Sequence, residues 1–214
     1  MLLAQDFNSG TTLSNYMGTG ANQFDSIKVS QPNSSNSVYV SSNRLTLQRY
    51  GGSAIISKST NLSATAPTFL RIKFRLNVPF NSIPTTIPQT QATVYVGSAF
   101  NSGPSTTSPN TEVRHSSFGI GFGSNTKYYL RSSTFINTVD SLTGENEINW
   151  FINNSGASVN YKDPVGGNAT LADDQYDLWV GGTRVFAGIV ATTPTSDINN
   201  FKVLFNGSVG GGIS

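Results

Sequence analysis

Glu145 and Glu147 form the only close glutamate pair in the chain. Glycoside hydrolysis uses two carboxyl groups roughly 5 to 9.5 Å apart, one of them kept protonated by its surroundings. On a strand the two residues share a face about 7 Å apart, which suits that chemistry; the plainer reading is two solvated charges beside the turn at Gly144. Hard oxygen ligands of the kind calcium prefers occur at Asp173 and Asp174 with Asp177, and at Asp6 with Asn8. Neither set has the ordered ligand run of a helix-loop-helix calcium site. Solvated turn carboxylates are the simpler account, with a structural calcium as the alternative and no other cofactor implied.

Sugar recognition asks for an exposed aromatic ring to stack on the pyranose face, with amide, carboxylate or guanidinium groups reaching the hydroxyls. Trp150 alternates with Ile148 and Ile152 and so points into a core, which leaves Phe151 on the face of Asn149 and Asn153 as the better platform. Trp179 with Asp177 on its own face, the Tyr128-Tyr129 pair and Tyr95 are further candidates, and for each ring core packing is the competing role. In a regular strand Tyr128 and Tyr129 point to opposite faces. The row Arg71, Lys73, Arg75 could meet an anionic polysaccharide, or serve as the solvated face of a strand. His115 is the only histidine and the chain has no cysteine, so a zinc site or a Ser-His-Asp triad would run through that residue alone. No Gly-x-Ser-x-Gly elbow supports one, and Gly119-Ile120-Gly121-Phe122-Gly123 has no helix after it to cradle a phosphate.

These residues must be carried by strands. Apolar residues at helical spacing are absent, whereas alternation recurs throughout. The clearest case covers 68–78, where Leu70, Ile72, Phe74, Leu76 and Val78 face one way and Arg71, Lys73, Arg75 and Asn77 the other. Shorter runs fall at 38–41, 44–49, 54–58, 93–97, 118–122, 127–131, 147–152, 158–161, 177–180, 184–190 and 201–205. With a first strand in which Leu3, Gln5 and Phe7 share one face and Leu2, Ala4 and Asp6 the other, this predicts about a dozen strands separated by Gly-, Asn- and Pro-rich turns. The polar stretches 79–91 and 101–110 read as loops. Composition does not shift across them, and the 214 residues read as one domain spanning 1–214. Many strands and little or no helix predict an all-β, two-sheet antiparallel β-sandwich of the jelly-roll kind.

Charged residues are 11% of the chain and the formal net charge is +2, which argues against a nucleic-acid partner. No apolar run reaches the roughly 18 residues of a membrane span, so membrane insertion is not expected.

The segments Leu2-Leu3-Ala4-Gln5-Asp6-Phe7-Asn8-Ser9, Ala21-Asn22-Gln23-Phe24-Asp25-Ser26-Ile27, Ile148-Asn149-Trp150-Phe151-Ile152-Asn153-Asn154-Ser155-Gly156 and Tyr176-Asp177-Leu178-Trp179-Val180-Gly181 resemble a family of secreted bacterial concanavalin A-like jelly-roll domains. The resemblance implies a lectin-like or glucanase-like sandwich carried on type IX secretion cargo at the cell surface or in the medium, in a family where rim calcium is common. The glucanase branch carries Glu-x-Asp-x-x-Glu on one strand. Here Glu145-Asn146-Glu147-Ile148-Asn149-Trp150 departs from it, and an enzyme is not expected. The resemblance also implies a final strand and a sorting domain beyond the Gly-rich turn. The chain stops at Gly210-Gly211-Gly212-Ile213-Ser214, where such a strand would start, so a sequence trimmed from something longer is the leading expectation, and a vacant C-terminal edge that accepts a strand from another copy or a partner is the alternative. The leading expectation is a non-catalytic, secreted or cell-surface glycan-binding domain, with Phe151, Asn149, Asn153, Tyr128, Trp179 and Asp177 as contacts. A self-assembling structural or adhesive subunit is the second reading, and a hydrolase or lyase built on Glu145 and Glu147 the third.

Overall fold

Short alternating runs broken by turn-forming residues can pair as strands but cannot wind into amphipathic helices, and the computed structural model follows that logic. It describes residues 3–81, 89–101, 108–124, 126–133, 140–207 and 210–214. In chain order the strands are β1 (Ser26–Val29), β2 (Ser37–Ser41), β3 (Arg44–Arg49), β4 (Ala54–Lys58), β5 (Phe69–Leu76), β6 (Phe80–Asn81), β7 (Gln89–Gly97) and β8 (Arg114–Phe122). They continue with β9 (Tyr128–Arg131), β10 (Asn146–Asn153), β11 (Val159–Lys162), β12 (Asn168–Leu171), β13 (Gln175–Val180), β14 (Thr183–Val190), β15 (Asn200–Phe205) and β16 (Gly211–Ile213). Among the described residues the helical elements are two 3-10 turns, Leu13–Tyr16 and Thr111–Val113.

The strands pair antiparallel into four sheets: six strands in the order β1-β4-β15-β7-β8-β9, four in the order β14-β13-β10-β5, four in the order β2-β3-β16-β6, and the hairpin β11-β12. The first two form the sandwich. Their inner faces contribute Val94, Phe118, Ile120 and Phe205 from one side and Leu70, Ile148, Trp150 and Leu178 from the other. Trp150, cross-strand between Ile72 and Leu178, meets Phe118 edge-on at 5.0 Å and Tyr176 at 5.7 Å, a geometry that adds quadrupolar attraction to burial. The alternation of β5 places Arg71, Lys73 and Arg75 outside, as its sequence predicts. Leu70 and Leu76 are fully buried, but Ile72 and Phe74 only half, because β5 is the edge of its sheet.

Several expectations change. Residues 3–7 form no strand, although Leu3, Gln5 and Phe7 are half-buried and Ala4 and Asp6 exposed. Asn22 holds them instead, accepting from the Ala4 amide at 3.1 Å through Oδ1 and from Gln5 Nε2 at 2.8 Å through its carbonyl; Leu2 lies outside the described residues. The sixteen described strands exceed the dozen expected, because β1, β6, β12 and β16 are too short or too glycine-rich to carry a period. Within 79–91 the chain is strand at Phe80–Asn81 and from Gln89 onward, and residues 82–88 and 102–107 lie outside the description. The Gly-rich end is itself a strand: β16 pairs with β3 on one side and β6 on the other, and Ser214 exchanges both backbone hydrogen bonds with Asn77, at 2.7 and 2.9 Å.

Candidate functional site

The outer face of the sheet β14-β13-β10-β5 collects most of the residues that the sequence brings forward. Antiparallel register sets Asn149 beside Lys73 and Trp179, Phe151 beside Arg71 and Asp177, and Asn153 beside Phe69 and Gln175. The β11-β12 hairpin then folds over this face. Tyr161 lies on Phe151 with ring centroids 4.2 Å apart, and Leu171 and Trp179 complete the cluster. Phe151 is left 2% exposed, with the Arg71 guanidinium 5.2 Å from its ring centroid.

Polar groups in this inlay largely satisfy one another, Asn153 Oδ1 being left without a hydrogen-bond partner. Trp179 Nε1 donates to Tyr161 Oη at 3.1 Å, and Tyr161 Oη donates to Asp177 Oδ2 at 2.5 Å. Asp177 also accepts from the Gly188 amide at 2.7 Å and pairs with Arg184 at 3.2 Å; Gly188 has φ +60, at an irregularity in the β13-β14 pairing. Burial and the hydrogen bond to Asp177 push the Tyr161 hydroxyl well above its usual range, so it stays a neutral donor. Asn149 accepts from Arg71 at 2.7 and 3.1 Å and donates to Glu147 at 3.1 Å. Asn153 donates to the carbonyls of Ala157 and Leu171 at 2.7 and 3.1 Å, which ties the hairpin to β10. Asn149, Asn153, Asp177 and Trp179 are all buried, and buried polar groups of this kind are costly to leave unpaired.

The glutamates are held by cations. Glu145 lies between Arg44 at 2.5 Å and Arg75 at 3.3 Å. Glu147 pairs with Lys73 at 2.9 Å, and the hydrogen bonds from Lys73 and Asn149 hold its carboxyl below the usual range. Lys73, Arg71 and Arg75 are thus each engaged while their outer surfaces remain in solvent.

The oxygen-ligand candidates do not converge. Asp6 accepts from the Asn8 amide at 3.2 Å and from Asn8 Nδ2 at 2.6 Å, a self-contained turn. Asp173 accepts from the Gly156 amide at 2.8 Å, and Asp174 sits at φ +54, 3.9 Å from His115 Nε2. Asp177 is apart from both, under the hairpin. Among the described residues no three His, Asp or Glu side chains form a metal-binding group. His115 is fully buried, its Nδ1 2.9 Å from Ser116 Oγ, and burial pushes it down to about 4. Tyr128 is buried in the core and Tyr129 half-buried on the opposite side. Burial pushes the Tyr128 hydroxyl up to about 12, and it bridges Asn146 and the Leu76 carbonyl. Tyr95 is buried as well, its hydroxyl on Ser108 and Arg114 over its ring.

Exposed aromatic surface lies elsewhere, on the outer face of β2-β3-β16-β6. Tyr39 pairs across strands with Thr46, and Gln48 continues through Gly212 to Phe80, so these residues share one face. Tyr39 is 39% and Tyr50 53% exposed. The Tyr50 and Phe80 rings are nearly parallel, 20° between planes and 6.4 Å between centroids. Gly210 and Gly212 allow this: a Cβ on Gly212 would fall 2.6 Å from the Phe80 ring and one on Gly210 2.5 Å from the Tyr50 ring. Asn36 Oδ1 fixes the Tyr50 backbone by accepting its amide at 2.7 Å and that of Gly51 at 3.0 Å. The sequence signal for Tyr39 was its place between inward-pointing Val38 and Val40, and for Tyr50 the Gly51-Gly52 that follows. Phe80 fell in a stretch read as loop.

No family model and no curated protein matches the chain. Among solved structures it is similar to a sialidase, with a TM-score of 0.54 and 12% identity over 85% of this chain and 13% of that one. It is also similar to the carbohydrate esterase vb_24B_21 from the Shiga toxin-encoding bacteriophage phi24B, with a TM-score of 0.53 and 10% identity over 99% of this chain and 95% of that one. The chain spans only about an eighth of the sialidase it matches. At these identities the likeness is one of fold.

Proposed function

We propose that this chain is a carbohydrate-binding β-sandwich whose glycan contact is the Tyr39, Phe80 and Tyr50 face of β2-β3-β16-β6. The observation that carries the reading is the pair of near-parallel Tyr50 and Phe80 rings beside exposed Tyr39, with Gln48 on the same face. Flat apolar rings beside a side-chain amide match the two faces of a sugar, apolar C–H groups and hydroxyls. Sharing a fold with a sialidase and a carbohydrate esterase is in keeping with this reading.

In this reading the domain binds without cleaving. Glycoside hydrolysis needs one protonated carboxylic acid, whereas Glu147 is held charged and Glu145 is bridged by two guanidinium groups. The domain acts outside the cell, at the bacterial surface or in the medium, as the resemblance to type IX secretion cargo implies. The test is a glycan array probed with the intact chain and with Tyr39→Ala/Tyr50→Ala. Specific signals that vanish in the double variant support the proposal, and an array with no signal for the intact chain refutes it.

A further inference from the structure

His115 is the one imidazole in the chain, and one of its two nitrogens is stranded. In the β7-β8 register Val96 faces Ser116 and Gly97 faces Arg114, so His115 is an extra residue bulged from the ladder, a device that re-aims a side chain. The residue is 0% exposed. Its Nδ1 lies 2.9 Å from Ser116 Oγ, whereas Nε2 has no hydrogen-bond partner among the described residues and faces Asp174 Oδ1, 3.9 Å away. Two consecutive amides hold this pair in place: that of Ala191 donates to the Asp174 carbonyl and that of Thr192 to the His115 carbonyl, each at 2.7 Å. The Asp174 side chain is 32% exposed, which opens the gap to solvent on its side.

A proton does not account for the gap. At 3.9 Å the two atoms are too far apart to share one in a hydrogen bond, and burial keeps the ring neutral down to about 4. A metal ion fits it: zinc sits about 2.0–2.1 Å from a histidine nitrogen and about 2.0–2.2 Å from a carboxylate oxygen, lengths that add to about 4.0–4.3 Å. An ion between Nε2 and Oδ1 therefore reaches both at a wide angle, and closure of the partly exposed Asp174 side chain by about half an ångström brings that angle toward tetrahedral. Burial and the adjacent charge of Asp173 raise the Asp174 carboxyl, as expected of an anion with no cation beside it.

We propose that His115 Nε2 and Asp174 bind a divalent transition-metal ion, zinc being the best match, with water completing its shell on the exposed side of Asp174. An imidazole ligand selects zinc, copper or nickel over calcium and magnesium, which take oxygen. Nδ1 then carries the ring proton toward Ser116 Oγ, the outer hydrogen bond by which metal-binding imidazoles are oriented. Because the buried ring is already neutral, the ion competes with no proton at pH 7. Once bound, it ties β8 to the turn between β12 and β13.

The test uses the intact, untagged chain stripped with EDTA. Calorimetry reads zinc binding, the visible spectrum reads cobalt in the same site, and NMR follows the ring signals of the single histidine. The expected result is one zinc ion per chain at micromolar affinity, with the histidine signals displaced at saturation by zinc and unmoved by millimolar calcium. Binding is expected to be at least tenfold weaker in Asp174→Asn and in His115→Gln. Asp174→Asn leaves the buried ring in place, so it reads the site even where His115→Gln unfolds. No uptake at millimolar zinc, uptake that leaves the histidine signals unmoved, or equal affinity in Asp174→Asn would each overturn the proposal. Tyr39→Ala/Tyr50→Ala binds zinc as the parent chain does, so this outcome is independent of glycan recognition.

Discussion

Tyr161 lies across Phe151 with 4.2 Å between ring centroids while its hydroxyl donates to Asp177. One residue of the β11-β12 hairpin therefore closes the outer face of the four-stranded sheet in both apolar and polar terms. The closure makes that face a second, smaller core, and among the described residues the exposed aromatic rings are Tyr39 and Tyr50 on another sheet.

Removing the Tyr161 hydroxyl tests that closure. Tyr161→Phe keeps the ring stack but leaves Trp179 Nε1 without its acceptor and Asp177 without one of its donors. The expected cost is about 1–3 kcal/mol, the range for stranding buried polar groups, read from urea unfolding. Asp177→Ala costs as much or more, because the Gly188 amide and Arg184 lose their acceptor too.

Trp150 anchors the main core, and Trp150→Ala is expected to destabilise by about 3–5 kcal/mol through lost burial and a residual cavity. Trp150→Phe costs less, since the indole N–H has no hydrogen-bond partner to lose. Thermal unfolding of the two variants checks the order.

Stability should fall with acid before the carboxylates titrate. His115 takes up a proton near its ordinary 6.5 when unfolded but only at about 4 when folded, so between those values the unfolded chain binds more protons and is favoured as the pH drops. Stability is full above pH 6.5 and declines toward pH 4, by roughly 3 kcal/mol at about 1.36 kcal/mol per pH unit. Asp25 adds a loss at lower pH: burial raises its carboxyl, but hydrogen bonds from Thr60 and Ser59 and the charge of Lys58 outweigh this and hold it below its usual range. Its contribution is present above pH 3.8 and disappears as pH falls through the lowered value. In His115→Gln the slope between pH 6.5 and 4 flattens.

Much of the fold was legible because burial follows period two. The alternation at 68–78 gave β5 its inward and outward faces, and Ile148, Trp150 and Ile152 were read into the core from spacing alone. The same spacing put Phe151, Asn149 and Asn153 on the opposite face, but period two says only which face a residue is on, never what covers it. That the hairpin Val159–Leu171 docks there is a tertiary event, set by Tyr161 finding Phe151 and Asp177. β16 was hidden for another reason: Gly211 and Gly212 have no side chains to pattern, and its pairing with β3 and β6 is written in backbone hydrogen bonds.

The glutamates are expected to be surface charges in function as in structure. Glu145→Gln/Glu147→Gln should lower stability by less than about 1 kcal/mol, since their cationic partners are largely in solvent, and should leave glycan retention unchanged. Loss of a measurable glycosidic activity in this variant would reverse the reading.

Titration of the strongest array glycan into the intact chain, Tyr50→Ala and Tyr161→Phe by calorimetry tests the location of the binding face most directly. The expected result is at least a tenfold loss of affinity in Tyr50→Ala, about 1.4 kcal/mol, with its melting temperature unchanged, and near-parental affinity in folded Tyr161→Phe. Unchanged affinity in Tyr50→Ala together with loss in Tyr161→Phe would place recognition on the hairpin-covered sheet and contradict the account.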